Sequence, residues 1–172
     1  TNSVDNSLFW GTISTVDHVV YLYDGEEDFL GLLTDYVTNG IQSNECVVVM
    51  ATQEHLFQLE SRMRSQGLNV FDLKLSEQFI PVDARTFLET FLISDQPDAV
   101  LFNHLFSLLH TKATKHKRKI RAFGEMVVLF WHKGQQSATI QLEQILSEFH
   151  SKDPFCLLCA YPKTLFTGLE YD

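Results

Sequence analysis

The chain contains no Gly-Lys pair and no G-x-G-x-x-G run. A phosphate-cradling P-loop needs the first, so ATP hydrolysis by a P-loop is not expected, and the second is the dinucleotide fingerprint, which is thus absent. The nucleophile-elbow pattern G-x-S-x-G is missing around Ser14, Ser43 and Ser137. No H-E-x-x-H places two metal ligands on one helix face, so no metal and no cofactor is expected. Basic residues are few: 13 Lys and Arg stand against 22 Asp and Glu, a net charge of -9. A nucleic-acid surface spread over the whole domain is thereby disfavoured, because phosphate contacts need cations. No apolar run approaches the roughly 18 residues of a membrane helix. The polar start also has neither a basic n-region nor an apolar h-region, and we read the chain as soluble and cytoplasmic. It opens on Thr1 rather than Met, which reads as a processed or excised piece with other domains out of view.

Only three cysteines occur, Cys46, Cys156 and Cys159, too few for a secreted disulfide framework. Cys156-Leu157-Leu158-Cys159 matches C-x-x-C, the spacing of redox and zinc sites. Yet Phe155 to Tyr161 reads as a buried strand, and an offset of three in a strand sends two side chains to opposite faces. Thiols so placed can neither pair nor share a metal, and they are expected to be inert.

What the chain has is apolar residues, 45% with 14 Phe, enough for the core of one domain. Thr1 to Thr15 lacks a clear period and reads as a leader, with Leu8, Phe9 and Trp10 available to pack on the body. Residues 16–172 form the single domain. Val16 to Tyr23 reads as a first strand containing His18, followed by a turn at Asp24-Gly25. Glu26 to Asn39 is an amphipathic helix with Phe29, Leu30, Leu33, Tyr36 and Val37 on one face, and Gly40 is expected to stop it. Glu45 to Ala51 is a continuous apolar run of the kind that fills a parallel strand covered on both faces. Thr52 then caps a helix carrying His55 and running to Gln66-Gly67. Asn69 to Leu75 alternates and reads as a short edge-ward strand. Ile80-Pro81-Val82 leads to a cap at Asp83 and a helix from Ala84 to Ile93. Pro97 begins a further helical pattern that ends in a basic segment, Lys112 to Arg121, holding six of the 13 cations. That segment is either a solvated helix end or a patch that docks a partner. A helix to about Lys133, a break at Gly134, and a helix from Ser137 to about His150 precede the last strand.

Strands alternating with helices predict an α/β fold, three layers with a mostly parallel sheet and helices on both faces. The organising stretch is Arg121 to Trp131, in which a β-friendly run stops at Gly124, a carboxylate follows at Glu125, and an apolar helical pattern resumes. Such turns lie at the carboxyl ends of strands, where ligands collect in open α/β sheets. Asp24, Thr52, Gly124-Glu125 and Tyr161-Pro162 should share that edge. Glu125 is either a functional carboxylate there or a first-turn acid favoured by the helix dipole. His18, likewise, is either part of a site or a hydrogen-bonded structural histidine. His104, His110, His116, His132 and His150 fall on helical stretches and read as ordinary residues.

Taken in order, His18 to Tyr23, Glu27-Asp28-Phe29-Leu30, Asn44-Glu45-Cys46, Thr52 with His55, Asp83-Ala84, Arg121-Ala122-Phe123-Gly124-Glu125-Met126-Val127, Trp131 and Leu157 to Pro162 resemble the MEDS family of sensory domains. The likeness runs from about His18 to Phe166, and its most specific parts are Phe123 to Met126 and Cys159 to Pro162. One departure is Asn44, where a Gly is expected before Glu45. The resemblance implies a RecA-like or KaiC-like domain without a working P-loop, acting as signal input rather than as an enzyme. The implied partners are a small organic ligand and an output domain outside this chain, a helix-turn-helix or a histidine kinase, with room for a homodimer and no direct nucleic-acid or membrane contact. His18, Thr52, His55, Arg121, Glu125 and Tyr161 are motif positions; convergence of the strand ends makes them the candidate ligand-binding residues. The alternative reading is a degenerate nucleotide-binding fold that serves as a protein-protein interaction module without a ligand.

Overall fold

Five parallel strands, in the order β1-β7-β6-β2-β3, form the sheet of the computed structural model, which describes residues 18–165. The expected leader and the first two residues of the strand expected from Val16 lie outside the described residues. Strand β1 (His18–Tyr23) leads to helix α1 (Glu26–Gln42), β2 (Cys46–Ala51) to α2 (Gln53–Ser65) and a short α3 (Val70–Leu75), and β3 (Phe79–Asp83) to α4 (Ala84–Glu89). A small antiparallel hairpin, β4 (Leu92–Ile93) and β5 (Gln96–Pro97), precedes α5 (Ala99–Thr114). Strand β6 (Ile120–Gly124), helices α6 (Met126–His132) and α7 (Gln136–Lys152), β7 (Cys156–Pro162) and a 3-10 turn (Lys163–Leu165) complete the order.

Alternation along the strands builds two cores. Val47, Val49, Ala51, Phe123, Cys156, Leu158 and Ala160 face α1, α2 and α3, where Phe29, Leu33, Tyr36, Leu59, Met63 and Val70 cover them. Val48, Met50, Ala122, Leu157 and Cys159 face the other way, against Leu88 of α4, Phe102 and Phe106 of α5, Phe130 of α6 and Leu142 of α7. Each Val, Leu, Phe or Met side chain among them contributes about 1.5–3 kcal/mol when fully buried, and the sheet is a packed middle layer. Cys156 and Cys159 fall into opposite cores, as their offset of three dictates, and both are buried free thiols.

Four local expectations are corrected. Asn69 to Leu75 is not a strand: Asn69 accepts the Asp72 N–H at 3.1 Å and its amide donates to the Asp72 carboxylate at 2.7 Å, a capped helix start. Val70 and Leu73 then face the core while Phe71 and Leu75 are left 72% and 74% exposed. The edge strand is Phe79–Asp83, and Pro81 opposite Val49 is acceptable there because an outer strand need not donate from every amide. The helix after Asp83 stops at Glu89, because Ser94 and Asp95 take φ of 50° and 63° and turn the chain into the two-residue hairpin. Pro97 accordingly lies in β5, and it is Asp98 that caps α5 by accepting the Leu101 N–H at 2.9 Å.

Gly40 does not end α1 either; it lets the helix pass close over the sheet. A Cβ built there would lie 2.7 Å from Arg121 Cδ and 2.8 Å from Val47 Cγ2. The turn that follows places Asn44 at φ 57°, the left-handed region that glycine enters freely and asparagine tolerates best among the other residues. Asn44 thus fulfils the role expected of Gly. Its side chain also accepts from Arg118 Nε at 3.3 Å, which ties the basic segment to the amino edge of the sheet.

Candidate functional site

Connections leave the two central strands in opposite directions. From β2 the chain passes to β3 on one side; from β6 it passes to β7 on the other. The crevice between their carboxyl ends is therefore a topological switch point, the place where open α/β sheets take ligands. Met50 pairs in register with Gly124, so the residues after each strand meet across this crevice.

On the β2 side the backbone of Thr52 is extended, and its hydroxyl accepts the His55 N–H at 3.3 Å, which starts α2 and sets His55 in its first turn. On the β6 side the Glu125 N–H donates to Met50 O at 3.1 Å, and the chain turns directly into α6. Glu125 is only 6% exposed. Its Oε1 accepts the Thr52 N–H at 2.5 Å, while His55 Nδ1 lies 2.8 Å from Oε2 and 3.0 Å from Oε1. Glu125 thus fills the orphan amide position at the start of α2 and does not project into solvent as a first-turn acid.

The other imidazole nitrogen, His55 Nε2, lies 2.9 Å from Glu26 Oε1 on the first turn of α1. The result is a linear relay of a buried carboxylate, a half-buried imidazole and a surface carboxylate. Only the imidazolium donates from both nitrogens, so two flanking carboxylates favour that form. Burial is the largest influence on His55 and opposes its charge, but the hydrogen bonds and charges of Glu125 and Glu26 outweigh it, and the pKa is raised. Phe29 packs against the ring at a centroid distance of 4.5 Å and itself rests on Tyr23 and Phe123. Tyr23 is pushed up to about 12 by burial and then by Glu125 and Glu26, so its hydroxyl keeps its proton.

Above the relay lies a cleft of about 280 Å³, walled by Tyr23, Thr52, His55, Glu125, Val128, Leu129 and His132, with the Arg85–Glu54 ion pair at its rim. Small-molecule sites begin at roughly 300 Å³, so it is the size of a small polar or mixed ligand. Among the described residues no group of three or more His, Cys, Asp and Glu side chains is arranged to hold a metal ion.

Thr52, His55 and Glu125 are brought together, and the other three sequence candidates are not. Arg121 sits at the opposite end of β6, 3% exposed, where Nε donates to Glu45 Oε2 at 2.7 Å and Nη1 to Tyr36 O at 3.2 Å. Its guanidinium lies 5.0 Å from the centre of the Tyr36 ring, so it neutralises Glu45 inside the α1 layer. His18 begins the edge strand, with its ring 5.7 Å from that of His150; burial first, then His150, lowers its pKa against the opposing pull of Glu143. Tyr161 does not close the cleft. It faces the α7 layer, donates to the Glu143 carboxylate, and borders a second, apolar cleft with Val20, Val127, Trp131 and Ile140. Asp24 turns outward and pairs with Lys163 at 2.7 Å.

Sequence reasoning missed Glu26, Tyr23, Phe29, Arg85 and His132. Glu26 stands beside Glu27 and Asp28 in one acidic helix start, and no spacing rule separates the one that reaches His55. Tyr23 carried a usable signal, being the last strand residue before a turn at the expected edge.

With this geometry in place, the comparison with protein families adds one finding. The sequence model described as MEDS, MEthanogen/methylotroph, DcmR Sensory domain, matches residues 17–170, nearly the whole chain. No curated protein and no solved structure matches it.

Proposed function

Because the chain belongs to the MEDS family of sensory domains, we propose that it is the signal-input domain of a regulator or sensor kinase. In this reading a small organic molecule with at least one polar group binds the cleft at the carboxyl ends of β2 and β6. The observation that carries the proposal is Glu125, a buried carboxylate at the switch-point crevice that lines the cleft. Charged side chains are almost never fully buried unless paired, and the partners that hold Glu125, the Thr52 N–H and His55, both border the cleft. A ligand donating to Glu125 would compete with His55 and release it from the relay, so that the first turns of α1 and α2, joined through His55 and Glu26, would shift. Ligand binding then biases a two-state element that an output domain reads. Binding without turnover is the role proposed, and ATP should bind more weakly than a Kd of about 1 μM.

Screening small amines, alcohols, amides and acids by thermal shift tests the proposal, with Glu125→Gln and His55→Ala beside the parent. A hit that stabilises the parent and neither variant supports it. A hit that stabilises all three equally, or one whose resonance shifts map away from the cleft, overturns it.

A second reading, a protein-interaction module, is favoured by one observation. The apolar cleft of about 430 Å³ beside Tyr161 adjoins the edge strand β1, on which Val20 is 58% and Leu22 43% exposed. Sedimentation of Val20→Lys against the parent tests it; a parent that self-associates and a variant that does not would support the contact. Among the described residues no helix is long and apolar enough to cross a membrane.

A further inference from the structure

Helix α5 buries Phe102, Phe106 and Ala113 in the core. On a flank outside that face, Leu101 and Leu108 stay 36% and 57% exposed, and Leu105 is only partly buried. These leucines fall in one row with Asp98 and Lys115, which cap the helix, and with Lys112. Steps of alternately three and four residues separate the six positions, the spacing by which one helix meets another along a seam. The row is acidic at its start, apolar in its middle and basic at its end. Exposed Asp95, in the left-handed turn before α5, reinforces the acidic end, and Lys117 and Lys119 reinforce the basic one.

We propose that this flank of α5 is the contact between two copies of the chain, which lie antiparallel across a two-fold axis between Leu105 and Leu108. Pairing about that point sets Leu105 of each copy against Leu108 of the other, Leu101 against Lys112, and Asp98 against Lys115. Leu101 then covers the aliphatic stem of Lys112, whose ammonium reaches the Asp95 and Asp98 end of the second copy. A parallel pair would instead set cations against cations and acids against acids, which like-charge repulsion disfavours. One seam supplies both halves of the charge pattern, and the two-fold axis makes every contact twice, so the occupant is a second copy rather than an unrelated helix.

The strength and place of the contact follow. A helix of 16 residues is about 24 Å long. One pair of helices that long is small beside the roughly 1,200–2,000 Å² that stable specific interfaces bury. Elsewhere the net charge of -9 holds copies apart. The dimer is therefore reversible, and salt weakens it by screening the end-to-end attraction. Helix α5 packs with Val48 and Met50 of β2, whereas β1 is the far edge of the sheet, so this contact is separate from the apolar cleft beside Tyr161.

Sedimentation of the whole chain at rising concentration should show a monomer–dimer equilibrium. Leu108→Glu, at an exposed position, should abolish the dimer, and Val20→Lys should leave it unchanged. Lys112→Glu should weaken it about tenfold, because the two-fold axis repeats the lost attraction and each exposed ion pair is worth up to about fivefold. Cross-linking reads the register. Leu101→Cys mixed with Lys112→Cys should form a disulfide between copies under mild oxidation, and neither variant should do so alone, since an antiparallel pair holds each of these positions far from its own copy; the three native thiols are buried. A parent that sediments as a monomer throughout, a Leu108→Glu variant that dimerises like the parent, or a dimer that Val20→Lys abolishes would overturn the proposal. So would Leu101→Cys cross-linking to itself or the absence of the mixed disulfide.

Discussion

Replacing Glu125 by Gln removes one charge and keeps the shape, which makes it the sharpest test of the relay. The carboxamide oxygen can still accept the Thr52 N–H now held at 2.5 Å. It cannot answer His55 Nδ1, which now faces both carboxylate oxygens at 2.8 and 3.0 Å, without turning one donor against another. Leaving a half-buried charged donor in that position costs about 1–3 kcal/mol. At about 2–4 °C per kcal/mol for a domain of this size, the melting midpoint should fall by roughly 2–12 °C. The loss should depend on pH with a definite sign. The folded pKa of His55 lies above its ordinary 6.5, so the stability it contributes is fully present below that value and is lost as pH rises through the folded pKa. The gap between parent and variant should be widest near pH 6 and should close under alkaline conditions. Melting curves across that range, with a paired His55→Gln variant, measure it. Equal midpoints would refute the reasoning, as would a gap that does not change with pH, because the partner of Glu125 would then not be a titrating imidazole.

Gly40→Ala should destabilise by about 1–3 kcal/mol in urea despite the better helix propensity of Ala, because the new methyl meets Arg121 and Val47 at contact distances that neither can accept unchanged. Arg121→Met should cost about 3–5 kcal/mol by leaving the Glu45 carboxylate buried and alone, and adding Glu45→Gln should recover much of it; a single variant as stable as the parent would remove the pairing argument. Cys159→Ser should lose about 1–3 kcal/mol, and the native thiol, pushed up to about 12 by burial, should resist alkylation near neutral pH until the protein unfolds.

The layered sheet was legible because two buried strands announce themselves: Cys46 to Ala51 is apolar on both faces, and Cys156 to Ala160 behaves likewise. Caps were legible for the same local reason, as Thr52 and Asp83 need only their next three residues to act. Asn69 to Leu75 was not, since Phe71, Leu73 and Leu75 fit a strand while Val70 and Leu73 fit a helix, and only the Asn69 cap separates the two. Glu125 and His55 were expected to share a cleft from their place at strand ends, and their side chains do meet there. Arg121 stands apart from Glu125 because a residue four positions earlier on a strand lies at the other end of it. Tyr161 misled because strand-end position fixes the edge of the sheet but not the face, and its ring belongs to the layer of α7.

Strand β1 hydrogen-bonds to β7 in the sheet, His18 opposite Leu157 and Tyr23 opposite Pro162. The first described strand is therefore completed by the last. During synthesis His18–Tyr23 leaves the ribosome long before its partner exists, and its run of Val19, Val20, Tyr21 and Leu22 must wait with open backbone groups. Pairings so distant in sequence are slow to close, and a waiting apolar strand is a template for other chains. A chain that ends before Cys156 denies that segment the partner it has in the finished sheet, so truncated products should aggregate through β1 more readily than the finished domain.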